Sequence, residues 1–113
     1  MTSERVYEKL VRDKIPEIIR KSGEEPVTRR LADEEYLPAL HKKLQEELDE
    51  YLKAETPEEA LAELGDLWEV LRAAAAARGF TEEKLLQAAS AKRQARGGFD
   101  GRVYLVKVLE SGS

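Results

Sequence analysis

Apolar residues recur at steps of three and four positions through the middle of this chain, which is the spacing that places them on one side of an α-helix. The clearest example is a continuous stripe of Leu37, Leu40, Leu44, Leu48 and Tyr51. This stripe predicts an amphipathic helix over residues 34–54. Asp33 has a side chain suited to cap its first turn, whereas Pro38 is expected to disturb its first turns.

A second long helix is predicted from a start signal. Thr56, Pro57 and Glu59 provide an N-cap, a proline at the first helical position and the glutamate of a capping box. The apolar pattern then continues to the residue before Gly79, and glycine is the residue that most commonly follows the end of a helix. We therefore expect a helix over residues 57–78.

Two shorter helices flank this pair. Three isoleucines at helical spacing predict a helix over residues 14–21, with Pro16 in its first turn and Gly23 at its end. The other begins with Thr81 and two glutamates and continues until the glycine pair at Gly97.

Two segments alternate between apolar and polar residues and are rich in β-branched side chains. Residues 26–32 form a candidate edge strand, and residues 102–110 a second strand that pairs with it or with residues 5–11. The predicted fold class is thus mainly all-α. We expect one domain over residues 1–113, an antiparallel bundle of about four helices with a small terminal β element.

The composition narrows the class of protein. The chain has 113 residues, 42% of them hydrophobic, which suits one compact domain and excludes a disordered tail. It has no cysteine, so disulfides and thiolate metal sites are excluded. A net charge of −4 without a basic block argues against duplex nucleic acid as a partner. No apolar run or leader segment indicates a membrane, so we expect a soluble cytoplasmic protein.

Two carboxylate pairs lie on the two long helices, each with its members three residues apart: Glu47 with Glu50, and Glu63 with Asp66. Residues at this spacing project from one side of a helix, so each pair offers oxygens to one point in space. Two carboxylates about 4 Å apart repel by roughly 4 kcal/mol at an effective dielectric near 20. If the helices face each other, a cation is therefore expected among the four.

Two questions stay open on sequence grounds: whether the carboxylate pairs are buried or solvated, and whether the cation is a lysine or a metal ion. An isolated helical carboxylate usually lies on a solvated face, but Glu47 adjoins the leucine stripe, and the line through Glu63 and Asp66 continues into valine and alanine. Nearby lysines, Lys42 and Lys43 among them, could neutralise the cluster. Mg²⁺, with Mn²⁺ as the alternative, satisfies several oxygens at once and is the usual ion of all-oxygen sites.

The order and spacing of these pairs resemble the MazG-like all-α nucleoside triphosphate pyrophosphohydrolase superfamily, whose hallmark is ExxE followed by ExxD on the next helix. Here the two motifs lie within QEELDE and AELGDL. The opening KLVRDKIPEII, residues 9–19, and the later KRQARGGF, residues 92–99, resemble the phosphoribosyl-ATP pyrophosphohydrolase-like branch, which removes aberrant nucleotides as a house-cleaning function. The resemblance spans most of the chain.

What the resemblance implies is Mg²⁺-dependent hydrolysis of nucleoside triphosphates, chiefly non-standard or modified ones, to a monophosphate and pyrophosphate. The implied catalytic residues and metal ligands are Glu47, Glu50, Glu63 and Asp66. Glu46, beside them, is either a water-orienting base or a surface residue. Family and size also indicate a homodimer or a higher homo-oligomer, for which the alanines at 73–77 offer a surface suited to close helix packing.

A polyphosphate requires cations beyond the metal, and arginine and lysine both bind phosphate oxygens. The candidates are Arg12, Lys14, Lys92, Arg93 and Arg96. The last three precede a glycine pair that allows close approach of the backbone to a ligand. Their alternative role is to complement the dipole at a helix C-terminus, and that of the first two is to pair with neighbouring carboxylates.

Other functions remain open on sequence grounds. Phosphoribosyl-ATP pyrophosphohydrolase of histidine biosynthesis shares the metal chemistry and differs in its contacts to base and ribose. A non-catalytic helical module would instead use the acidic face to dock a basic partner. Trp68 lies within the stripe of Leu61, Leu64 and Leu71, so it is expected to pack in the core.

Overall fold

The computed structural model describes residues 3–112, and the regular secondary structure of these residues consists of four α-helices. They are α1 (Ile15–Lys21), α2 (Asp33–Leu52), α3 (Pro57–Ala77) and α4 (Glu82–Arg96). The predicted all-α fold class and the four helices are confirmed. Each predicted boundary lies within two residues of the observed one.

An antiparallel hairpin of α2 and α3 forms the centre of the fold, with residues 53–56 as its short connection. Leu40 of α2 and Val70 of α3 are the buried apolar residues of the described chain, and they mark where the two helices pack. α4 contacts α3, where the Arg72 guanidinium lies 3.3 Å from a carboxylate oxygen of Glu82. Within residues 3–112, α1 packs against no other helix. The fold is therefore a hairpin of α2 and α3, with α4 packed on α3 and α1 apart from the other helices.

Threonine caps fix the starts of α3 and α4. The Thr56 hydroxyl accepts the backbone N–H of Glu59 at 3.1 Å, and the Thr81 hydroxyl accepts that of Lys84 at 3.2 Å. These bonds satisfy N–H groups that have no partner within a helix. At the other end of α3, Gly79 adopts φ 87°, which glycine tolerates at no steric cost.

α2 begins one residue earlier than expected. Asp33 is helical, and the N-cap is Ala32, which has no side-chain oxygen for capping. The Glu35 carboxylate instead accepts the Ala32 N–H at 3.0 Å. This is one half of a capping box. The expected disturbance at Pro38 does not interrupt the helix.

The prediction of a small β element was wrong. Residues 26–32 and 102–110 are irregular, and no strand occurs in the part of the chain that the structure describes. A strand is held by hydrogen bonds to a neighbouring strand, and these segments form no ladder with each other or with residues 5–11. Val27 is 97% exposed and Val103 is 92% exposed. Their alternation therefore reflects no buried face within this chain.

The expectation that Trp68 packs in the core was also wrong. Its side chain is 37% exposed, and Leu61 in the same stripe is 72% exposed. A helix in a two-helix hairpin buries only the side that faces its partner, and on α3 that side carries Val70. The stripe of Trp68 lies on the other side of α3.

Candidate metal centre

A cleft of about 420 Å³ lies along one side of the α2–α3 hairpin. This volume is within the range of small-molecule sites. Residues 10–14, just before α1, form one wall. The helices supply the rest: Tyr36, Leu40, Lys43, Glu47, Asp66, Glu69, Val70 and Ala73. The cleft thus combines an apolar floor with charged residues of both signs.

Three carboxylates from both helices converge beside this cleft. Each of Glu47, Glu63 and Asp66 places an oxygen within 4.8 Å of the other two. The antiparallel packing brings them together because α2 runs toward the connecting loop while α3 runs away from it. Glu50, one turn beyond Glu47, is exposed and is not part of this close group.

The cluster is electrostatically unfavourable for its own members. Partial burial raises the pKa of Glu63, and the negative charges of Asp66 and Glu47 raise this pKa further. A hydrogen bond with Glu47 and the more distant charge of Glu50 act in the same direction. Like charges that share a site act on the pKa of a carboxyl group in this direction.

Two basic side chains partly neutralise the cluster. A guanidinium nitrogen of Arg12 donates to Asp66 Oδ1 at 2.6 Å. Lys43 Nζ lies 3.5 Å from Glu47 Oε1 and 3.8 Å from Glu46 Oε2. Asp66 remains 40% exposed at its side chain and Glu47 only 14%. Neither basic residue is placed against Glu63.

The donor set suits a hard divalent cation. All three groups offer carboxylate oxygen, the ligand that Mg²⁺ and Mn²⁺ prefer. Oxygens on opposite sides of a Mg²⁺ ion are about 4.2 Å apart, and the three carboxylate oxygens of the cluster lie within 4.8 Å of one another. Three protein ligands would also leave room for water and phosphate oxygens. The residues therefore fit the ion that the sequence motifs predict.

The predicted phosphate-binding residues divide into two groups. Arg12 and Lys14 line the cleft beside Glu47 and Asp66. The other three are exposed on the last turns of α4 and do not line it: Lys92, Arg93 and Arg96. Arg93 instead lies 4.0 Å from Asp100, beyond the glycine pair. Within one chain, the structure brings only the first group to the carboxylates.

Sequence reasoning missed Glu69 and the apolar wall at Leu10 and Val11, all of which line the cleft. Glu69 extends the line of Glu63 and Asp66 by another three residues, and that repeat was a usable signal. Its carboxylate pairs with Arg72 at 3.0 Å. The apolar wall had no comparable signal, because residues 10–11 reach the cleft through tertiary folding.

Among the described residues, no helix combines the length and the apolar character that crossing a membrane requires.

Comparison with known proteins gives one partial relative. The chain is 56% identical over 52 residues to a protein of Mycolicibacterium smegmatis that is described as uncharacterized. The matched part is 46% of this chain and 53% of that protein, so the similarity spans about half of each. No family model matches the chain, and no solved structure matches it.

Proposed function

We propose that this protein is a Mg²⁺-dependent nucleoside triphosphate pyrophosphohydrolase, acting on non-standard or modified nucleotides. The observation that carries the proposal is the convergence of Glu47, Glu63 and Asp66 from two helices beside a cleft that also holds Arg12. The motifs ExxE and ExxD, in the order found here, support the same reaction class.

The reaction divides between a metal ion and the chain's own side chains. A bound Mg²⁺ supplies Lewis-acid polarisation of phosphoryl oxygens and makes a water molecule more acidic. Glu47, Glu63 and Asp66 hold the ion, with Glu50 near enough to add charge. Arg12 and Lys14 bind phosphate oxygens and offset the charge of the polyphosphate. Water adds across the α–β anhydride, so the products are a monophosphate and pyrophosphate.

Arg12 has two roles in this proposal. In the structure it is bound to Asp66, the residue that a metal ion would claim. A substrate phosphate offers the guanidinium a new partner, since arginine binds phosphate oxygens in a fork. The arginine thus passes from the carboxylate to the substrate when the ion and the nucleotide are bound.

We further propose that the enzyme acts in the cytoplasm as a homodimer or a higher homo-oligomer. Of the two alternatives, phosphoribosyl-ATP pyrophosphohydrolase shares the metal chemistry and differs in its contacts to base and ribose, so a substrate panel distinguishes it. A non-catalytic docking module is favoured less, because an open acidic face would be needed, and Asp66 and Glu47 are already paired with Arg12 and Lys43.

The test is pyrophosphate release from a panel of standard, deoxy, modified and phosphoribosyl nucleotides, with Mg²⁺, with Mn²⁺ and with a chelator. We expect turnover of at least one member that the chelator abolishes. Asp49→Asn is a matched control, since Asp49 is exposed on α2 outside the cluster. Absence of turnover across the whole panel would contradict the enzyme proposal.

Thermal unfolding with and without Mg²⁺ tests the metal separately from the reaction. An ion that binds only the folded state at 100 times its dissociation constant stabilises it by about 2.7 kcal/mol and raises the midpoint. A docking module predicts no such shift. Asp66→Asn should lose the shift while Asp49→Asn keeps it.

A further inference from the structure

The cleft extends from the carboxylate cluster in one direction along the hairpin. On α2 its lining runs from Glu47 back to Tyr36. On α3 it runs from Asp66 forward to Ala73. Because the two helices are antiparallel, these two runs lie side by side. Glu50, nearer the connecting loop, does not line the cleft. A ligand that reaches the cluster and extends beyond it therefore lies toward Tyr36 and Ala73.

The polarity of the cleft changes along this direction. Beyond the cluster, the helices contribute Leu40 and Val70 to its floor, and Tyr36 and Ala73 line its far end. A pyrophosphate group placed against these residues would lose its hydration to a largely apolar surface. An aromatic base suits such a surface, since tyrosine rings stack on bases. With the phosphates at the cluster, the sugar of a nucleotide then lies partway along the cleft.

Glu69 occupies this intermediate position. It follows Asp66 by three residues on α3, which is about 4.5 Å along the helix axis, and it lines the cleft. It is not a member of the close carboxylate group that fits a metal ion. The proposed reaction assigns Glu69 no role at the metal ion or at the phosphates, so its carboxylate is available to another part of the substrate.

Arg72 holds the side chain of Glu69 in place. Its Nη1 donates to Glu69 Oε2 at 3.0 Å, and its Nε lies 3.3 Å from a carboxylate oxygen of Glu82 on α4. Within residues 3–112, Glu69 Oε1 accepts no hydrogen bond. The ion pair with Arg72 also reduces the repulsion between Glu69 and the phosphates of a substrate. The structure thus provides a held acceptor one helical turn from the cluster.

We propose that Glu69 accepts a hydrogen bond from a sugar hydroxyl of the substrate, and that the protein therefore selects nucleotides that carry this hydroxyl. The inference rests on the proposed function, because it takes the phosphates to lie at Glu47, Glu63 and Asp66. Carboxylates are suited to this contact: in dinucleotide-binding folds an acidic residue binds a ribose hydroxyl. Glu69 is thus a residue that determines specificity and takes no part in the chemical step.

The test compares ribonucleoside triphosphates with their 2′,3′-dideoxy forms, which lack both sugar hydroxyls. For each base, the ratio of the two kcat/KM values for pyrophosphate release removes any preference for the base itself. We expect a ratio of about 10 or more for the unaltered chain, the scale of a hydrogen bond to a charged group. Glu69→Ala should bring the ratio to about 1 by lowering kcat/KM for the ribonucleotides.

A matched control and a milder variant accompany this change. Glu58 is exposed at the start of α3 and does not line the cleft, so Glu58→Ala should keep the ratio of the unaltered chain. Glu69→Gln keeps an acceptor oxygen without the charge, so its ratio should be intermediate. Circular dichroism shows whether each variant folds. If Glu69→Ala does not fold, the ratio in Glu69→Gln decides.

Calorimetric binding in the presence of Mn²⁺ reads the same contact without turnover. Adenosine monophosphate should bind the unaltered chain about 10-fold more tightly than 2′,3′-dideoxyadenosine monophosphate. Glu69→Ala should bind the two with equal affinity. The affinity for Mn²⁺ alone should be the same in this variant and in the unaltered chain.

The outcomes separate this inference from the proposed function. Turnover with equal kcat/KM for both sugar forms would overturn the role of Glu69 and leave the pyrophosphohydrolase proposal standing. Weaker Mn²⁺ binding in Glu69→Ala would also overturn it, since Glu69 would then be a metal ligand. Selective binding of adenosine monophosphate without any turnover would support the sugar contact and contradict the reaction. Neither turnover nor nucleotide binding would remove both.

Discussion

Two carboxyl groups in this protein meet opposite surroundings. Glu35, in the first turn of α2, accepts both guanidinium nitrogens of Arg29, at 3.0 and 3.2 Å, and the Ala32 N–H. These bonds lower the pKa of Glu35, the Arg29 hydrogen bond most of all. Glu63, between α2 and α3, has a raised pKa because of its partial burial and the neighbouring carboxylates.

The difference separates a structural carboxylate from one that lacks a counter-ion. At Glu35 the chain supplies every partner the charge needs, and the group helps to begin a helix. At Glu63 the chain gathers more negative charge and opposes it only indirectly, through Arg12 on Asp66 and Lys43 on Glu47. A cluster of this kind costs stability unless a further cation joins it, and this is characteristic of a functional site.

The largest effect is expected when charge is removed from the cluster. Asp66→Asn and Glu47→Gln should each lower pyrophosphate release by at least about 100-fold, because each removes an anionic group from the proposed metal site. Helicity should be nearly unchanged, since both replacements are close in shape. Glu35→Gln should leave activity unchanged.

Steady-state rates with saturating Mg²⁺ are the measurement, with circular dichroism as the check on folding. Activity retained in both cluster variants would remove these residues from the site. Equal loss in Glu35→Gln would show that the assay reports folding instead.

A smaller effect is expected at the arginine that occupies the cluster. Arg12→Met keeps much of the side chain's length and removes its charge, so Asp66 is freed for a metal ion. Affinity for Mn²⁺ without nucleotide should rise by up to about 5-fold, the scale of an exposed ion pair. Affinity for pyrophosphate in the presence of Mn²⁺ should fall, because the variant lacks the guanidinium that we propose binds phosphate oxygens.

Calorimetric titration of Mn²⁺ and then of pyrophosphate measures both effects. Arg20→Met, on exposed α1 away from the cleft, should change neither affinity. Weaker Mn²⁺ binding in the Arg12 variant would contradict the competition, since it would mean that the arginine assists the ion.

How far the sequence predicts this structure depends on whether the deciding interactions are local. The α3 start at Thr56 and its end at Gly79 follow from hydrogen bonds between residues a few positions apart, and both were predicted correctly. A strand at residues 102–110 depends on a distant partner, so alternation alone misled. Periodicity likewise identifies an apolar stripe on a helix, but it does not identify which part of the fold packs against that stripe.

The candidate site shows the same division. Helical spacing brought Glu63 and Asp66 to one point, and the antiparallel hairpin added Glu47. Spacing alone placed Glu50 in the set, although its position on the helix leaves it exposed. The contact from Arg12 to Asp66 spans 54 positions along the chain, and no local pattern reports the distance between them.

The last prediction sets the two carboxyl groups against each other in one measurement: the free energy of unfolding of Glu63→Gln and Glu35→Gln as a function of pH, without metal. The ordinary pKa of each group is 4.5. Above it the unfolded chain is ionised at both positions, so each variant reports what its charge contributes to the folded state.

Glu63 has a raised pKa in the folded state, so that state binds more protons than the unfolded one between 4.5 and the raised value. The stability of the folded protein therefore falls as pH rises through this window. Glu63→Gln should be more stable than the unaltered chain at pH 7, and the difference should disappear below pH 4.5.

Glu35 has a lowered pKa, so the stability that its charge contributes is present above pH 4.5 and is lost as pH falls through the pKa of the folded state. Glu35→Gln should therefore be less stable than the unaltered chain at pH 7 and equal to it in acid.

Adding Mg²⁺ should make the unaltered chain more stable than Glu63→Gln, because the ion then stabilises the charge that the variant lacks. It should not change the order of stability for Glu35→Gln. Two profiles of the same sign would mean that the cluster of α2 and α3 is compensated like the start of α2, and the electrostatic argument for a metal there would fail.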